Sequence, residues 1–236
     1  MFSSKRSKVI AAGMAAIVIG GGSYGIVTAT SSSTTATAST SSHGFAGGSG
    51  TGGSGSNARS GPAAGGSAGT VSSVSASGFT LSTSAGQQVT IKEASSTTYE
   101  QGTSPASASA VTTGAPVLVL GTTDSTTITA AQVIVQPPSS GASSPGGQVI
   151  AYSKGTPGSS EQVGQIPADY SQGSGTLASG TTADKATEAA LAAYPGGVVD
   201  RVVELGNGDY EVHYIGVNWP HHIFVNQSFQ VIGANS

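Results

Sequence analysis

Read as a pattern of apolar and polar positions, the chain has its clearest order at its C-terminal end. From Ala183 to Tyr194 the chain is dominated by Ala, with Leu191, both strong helix formers. Ala183, Ala186, Ala190, Leu191 and Tyr194 fall near one face at helical spacing, which predicts a helix lying close on a sheet. Thr181 and Asp184 have the spacing of a capping box, and Pro195-Gly196-Gly197 predicts the stop. Val198 to Leu205 then reads as a strand in which Val199, Val203 and Leu205 share one face and Asp200, Val202 and Glu204 the other. Gly206 to Asp209 predicts a hairpin turn. Beyond it Tyr210, Val212 and Tyr214 alternate with Glu211 and His213. Past Gly216 to Pro220, Ile223 and Val225 alternate with His222 and Phe224, and Phe229 to Ile232 closes a last strand. The pattern predicts an α+β unit over 179–236, its sheet covered on one face.

A second patterned region runs from Gly69 to Pro137. Val71 to Val74, Phe79 to Leu81, Val89 to Ile91, Thr97 to Tyr99, Val117 to Leu120 and Thr127 to Val135 are short Val/Ile/Thr strands between Gly-containing turns. They predict an all-β unit over 69–137, a small antiparallel barrel. Val117 to Leu120 is apolar at every position, as in a strand buried on both faces.

Two low-complexity stretches separate these units. Residues 29–68 are Ser/Thr-rich and then Gly/Ser-rich, which predicts a disordered tether. Residues 138–178 form a Pro/Gly/Ser linker in which Gln148 to Tyr152 and Gln165 to Pro167 are candidate short strands docking on a neighbour. Residues 1–28 hold Lys5, Arg6 and Lys8 ahead of an uncharged run from Val9 to Val27. At about 1.5 Å per residue that run reaches across a ~30 Å hydrocarbon core. The basic flank predicts a cytoplasmic N-terminus with the rest outside. Gly20 to Ser23 weaken the run, so a cleaved signal is the alternative to an anchor, with Ala36-Thr37-Ala38 as an A-x-A-like site. The expected location is the cell membrane with the C-terminal part outside, or secretion if the signal is cleaved.

Charge excludes one class of partner. Three of the eight basic residues lie in the first eight positions, which leaves five against eleven acidic ones, a net charge of −6. Nucleic-acid binding needs a basic stripe and is not expected. With no Cys there is no disulfide, thiolate metal site or lipid-attachment Cys.

Little of the chain reads as chemistry. Glu211 and His213 share a strand face, and His221 or His222 comes beside them across a hairpin, a set able to offer zinc two imidazoles and a carboxylate. Adjacent His221 and His222 point to opposite faces, however, and a solvated sheet face is the plainer reading. No nucleophile elbow, phosphate loop or carboxylate pair stands out, so no catalytic, cofactor or metal residue is expected and the chain reads as non-enzymatic. Trp219, in a loop with Pro220, is the expected contact residue for a partner, together with His221 and His222.

The C-terminal residues resemble the PepSY domain family. The resemblance rests on the Ala-rich helix (Ala186 to Ala193), the Tyr194 to Gly197 break, Tyr210-Glu211-Val212 and the strand around Phe224-Val225. Asn218-Trp219-Pro220-His221-His222 departs from it, standing where relatives have a short polar turn. The resemblance implies a helix-on-antiparallel-sheet domain that binds or restrains an extracytoplasmic peptidase or envelope protein. Gly69-Thr70-Val71, Phe79-Thr80-Leu81 and Ile128 to Val135 resemble a bacterial secreted β-barrel family of unknown function, OB-like in outline. The functional expectation is an exported, membrane-tethered binding or regulatory protein; the alternative is a cell-envelope spacer without a specific ligand.

Overall fold

The computed structural model describes residues 61–137, 149–154 and 161–236. The anchor or signal (1–28), Ala36 to Ala38, the first linker up to residue 60 and residues 138–148 and 155–160 of the second lie outside the described residues. Among the described residues no helix is long and apolar enough to cross a membrane.

The first strands are β1 (Ala63–Ser75), β2 (Gly78–Ser82), β3 (Gln88–Gln101), β4 (Ser104–Pro105), β5 (Pro116–Asp124) and β6 (Thr127–Val135). Five of them close a ring in the order β1-β2-β3-β6-β5, with β5 returning to β1. The expectation of a purely antiparallel barrel fails on parity. A ring with an odd number of strands cannot alternate direction at every step, so one pairing must be parallel. That pairing is β3 with β6, from Thr90↔Thr127 to Gln101↔Val135. The segments expected as two strands, Val89 to Ile91 and Thr97 to Tyr99, are one strand, β3. Its pairing with β6 is irregular between Glu93 and Thr98. The barrel interior is filled by alternate residues, among them Val71, Phe79, Leu81, Val89, Ile91, Val117, Val119, Ile128 and Val133.

Leu118 and Leu120 point out of the barrel into a second core. That explains the unbroken apolar run in β5: one face lines the barrel and the other packs under a helix. The second core is built from β7 (Ile150–Ala151), β8 (Gln162–Gly164), β9 (Thr176–Leu177), α1 (Gly180–Ala193), β10 (Val198–Glu204), β11 (Tyr210–Ile215), β12 (Val217–Trp219), β13 (His222–Val225) and β14 (Val231–Asn235). The last strand therefore starts two residues after Phe229, which takes φ 57° in the preceding turn. Strands β10-β11-β13-β14-β8 form one antiparallel sheet, and α1 lies on it.

The small-residue face of α1 behaves as its spacing predicts: Ala183, Ala186, Ala190 and Leu191 are buried against Val199, Val202, Val212, Tyr214, Ile223 and Val225. The capping box does not form. Ser179 occupies the N-cap position and makes no side-chain cap hydrogen bond, and Thr181 lies inside the helix. At the other end Gly197 lets the chain turn tightly, since a Cβ there would meet the Tyr214 ring at 2.0 Å.

The two cores share one sheet. β1 begins at Ala63, inside the stretch expected as tether, and its outer edge pairs with β10 through Gly66↔Val199 and Ser67↔Val198. The Ser67 hydroxyl donates to the Gly197 carbonyl at 3.2 Å. Gly66 is needed where the layers meet, because a Cβ there would lie 2.3 Å from the Val119 carbonyl oxygen. A bulge between Val199 and Arg201 then corrects the face assignment of β10. The extra residue, Asp200, turns Val199 and Val202 toward the helix together, against the strict alternation that separated them.

Candidate functional site

The face of the sheet away from α1 carries the polar residues of β11 and β13. Val212, Tyr214, Ile223 and Val225 face the helix, so Glu211, His213, His222 and Phe224 face the other way. That face was expected to be open, but it is crossed by a strap, residues 161–178. At one end β8 pairs with β14, and the Gln165 N–H donates to the Ile232 carbonyl at 2.8 Å. At the other end β9 pairs with β10, and the Ala178 N–H donates to the Val202 carbonyl at 2.9 Å. Between them Asp169 accepts the Asn207 N–H at 2.8 Å. The Tyr170 ring stands edge-on to Phe224 at 4.7 Å and 5.7 Å from His222. Of the short docking strands expected in 138–178, Gln148 to Tyr152 contains β7, which pairs with β12; Gln165 to Pro167 is not a strand, and the docking strand is instead β8 just before it.

Three imidazoles converge beneath this strap. His213 and His222 are directly opposite on β11 and β13, with ring centroids 5.1 Å apart. His221 lies 6.3 Å from His213 and 6.4 Å from His222. Two of the three have a carboxylate. His213 Nδ1 is 2.5 Å from an Asp200 oxygen, and His222 Nδ1 is 2.7 Å from Glu211 Oε1. An ionised carboxylate only accepts, so each ring carries its proton on Nδ1 and keeps a lone pair on Nε2. Arg201 Nη2 sits 3.3 Å from the same His213 Nδ1, which has no lone pair left for it. The favourable partner of that guanidinium is Asp200, at 3.8 Å.

The electrostatics separate the third ring from the others. Burial, then the nearby His213 and His222, lower the His221 pKa from its usual value. Glu211 is 3% exposed, and its second oxygen, Oε2, has no hydrogen-bond partner. The Tyr170 phenol is pushed far above its ordinary range, chiefly by burial and also by the Glu211 charge. Among the described residues, no group of three or more His, Asp or Glu is arranged to hold a metal ion. The Arg201 cation beside His213 works against one as well. What the arrangement can do is accept protons on its imidazole rings.

Of the residues expected to meet a partner, the structure brings His221 and His222 into this cluster and leaves Trp219 on the opposite side. Trp219 is 2% exposed, edge-on to Tyr194 at 5.5 Å, with its indole N–H directed at the Glu161 carbonyl. An enclosed indole has no area to offer a partner, so the expected surface anchor is a core residue. His222 is 7% exposed, and His213 and His221 are partly buried.

No relative identifies the chain. No family model matches it, and neither a curated protein nor a solved structure is significantly similar to it. The site therefore rests on its own geometry.

Sequence reasoning missed Asp200, Arg201 and Tyr170. Asp200 lies on the face opposite Val199, and the bulge in β10 brings Arg201 onto that face as well, opposite His213. Tyr170 comes from a segment whose composition reads as linker, where a lone aromatic among Gly, Ser and Asp was the available signal.

Proposed function

We propose that this is an exported, membrane-tethered binding or regulatory protein without catalytic activity, whose C-terminal half binds or restrains an extracytoplasmic peptidase. The observation that carries the reading is α1 laid on antiparallel strands, the arrangement that the PepSY resemblance implies. Ala186 and Ala190 touch the sheet, Tyr194 to Gly197 turn the chain back, and Tyr210 to Val212 and Phe224-Val225 lie side by side. The single parallel pairing in a five-stranded ring supports the OB-like reading of the barrel. The basic flank and the apolar run from Val9 to Val27 support the tether. A physical route for recognition is the outer edge of β8, an exposed strand end able to pair with an extended segment.

The test is a titration of the full chain into the secreted peptidase activity of the source culture. Saturable inhibition is the expected result. A folded chain that leaves the activity untouched would favour the second reading, a cell-envelope spacer, which the long Ser/Thr/Gly tract ahead of Ala63 supports.

A further inference from the structure

The histidine cluster lies against the strap through the Tyr170 ring, 5.7 Å from His222, and His221 follows two residues after Trp219, whose indole meets the strap's first residue from the other side of the sheet. Its charge balance is uneven. With neutral imidazoles it holds one cation, Arg201, against two carboxylates, Asp200 and Glu211, a net −1. With all three charged it holds four cations against the same two carboxylates, a net +2. His213 and His222 each meet their charge with a carboxylate already in contact. His221 has none. The strap's own Tyr170 phenol, beside His222, stays neutral and adds no compensating charge.

We propose that His213, His221 and His222 form a proton-operated latch, in which the third positive charge, on His221, drives the strap 161–178 off the sheet face. The route is short. Half-buried His221 gains hydration by swinging outward, and it follows Trp219 and Pro220 directly in the chain. Moving it draws on the indole whose N–H meets the Glu161 carbonyl, 3.3 Å away at the start of the strap. Opening uncovers Phe224 and the side of β14 that β8 occupies. The sign follows from the shift. The closed form holds the His221 pKa below its ordinary value of about 6.5, and the open form restores it. The open form therefore binds more protons, and acidification favours it. Closure is fully favoured above about pH 6.5 and is lost as pH falls toward the lowered value. The latch does not depend on the peptidase reading, and its test needs no partner.

Trp219 is the single tryptophan of the chain, so its emission in the full chain reports the latch alone. From about pH 8 to about pH 5, the expected result is a shift to longer wavelength with a midpoint below about 6.5. Over the same range the Gln165 and Ala178 amides lose about tenfold in exchange protection, one decade of the opening equilibrium. Barrel amides such as Val119 keep theirs. His221→Gln abolishes the transition, and His43→Gln, in the Ser/Thr/Gly tract of the sequence, retains it. Unchanged emission and strap protection, equal loss of protection in the barrel, or the same midpoint in His221→Gln would each overturn the latch. If His221→Gln does not fold, the exchange profile of the natural chain decides alone.

Discussion

The Tyr214 hydroxyl donates a 2.9 Å hydrogen bond to the Tyr194 carbonyl, joining the centre of the sheet to the residue that ends the helix. Both residues are buried, and burial pushes the Tyr214 phenol well above its usual range, so it remains a donor at any physiological pH. Tyr214→Phe keeps the ring and removes only this donor. The expected loss is about 1 kcal/mol, read as a lower urea midpoint with an unchanged slope.

Gly66 is a second point of contact between layers. A methyl group there would press on the Val119 carbonyl oxygen from 2.3 Å, with Thr187 and Leu120 side chains also near. Backbone cannot rotate away as a side chain can. Gly66→Ala is expected to cost at least about 2 kcal/mol, with both cores loosening together in exchange or proteolysis. Loss confined to the barrel would contradict the shared seam.

Trp219 makes a different prediction from the one its loop position suggests. Enclosed between Tyr194 and the strap, it is expected to cost about 3–5 kcal/mol when truncated to Ala. Thermal unfolding measures this directly. A Trp219→Ala chain as stable as the natural one would return the residue to the surface.

Glu188 gives a pH-dependent prediction. Burial first, then the negative charges of Asp184 and Glu100, raise its pKa, with Lys185 opposing. The folded chain thus holds this proton more readily than the unfolded one, and stability falls as pH rises through the raised value. Glu188→Gln is therefore expected to increase Tm at pH 7, and the gain should fade as pH drops below the ordinary value of 4.5. A gain that persists in acid would point to a cause other than charge.

The sequence made the elements legible more readily than their assembly. Ala183, Ala186, Ala190 and Leu191 disclose their buried face through spacing alone, and Val117 to Leu120 disclose burial on both sides. Asp200 breaks the rule that placed its neighbours, because a bulge adds one residue to one strand and leaves no mark in the alternation. The seam through Gly66 and Ser67 was hidden for a related reason: Gly and Ser have the composition of a tether, and only the carbonyl they approach distinguishes them. At the histidine face strand parity alone discloses two rings and one carboxylate, since Glu211 and His213 share a face with His222 across the hairpin. The second carboxylate and the covering Tyr170 depend on contacts between distant segments.

The seam also sets an order of events in the life of each chain. Ser67 and Gly197 stand 130 positions apart, so a chain emerging from its N-terminus has β1 complete long before β10 exists to join it. In that interval the outer edge of β1 offers unpaired amides to any neighbouring chain, the usual template for aggregation. What it offers is Gly66 and Ser67, a stretch without the apolar side chains that a sticking strand needs. The residues that make the finished seam tight also keep the unfinished one unattractive.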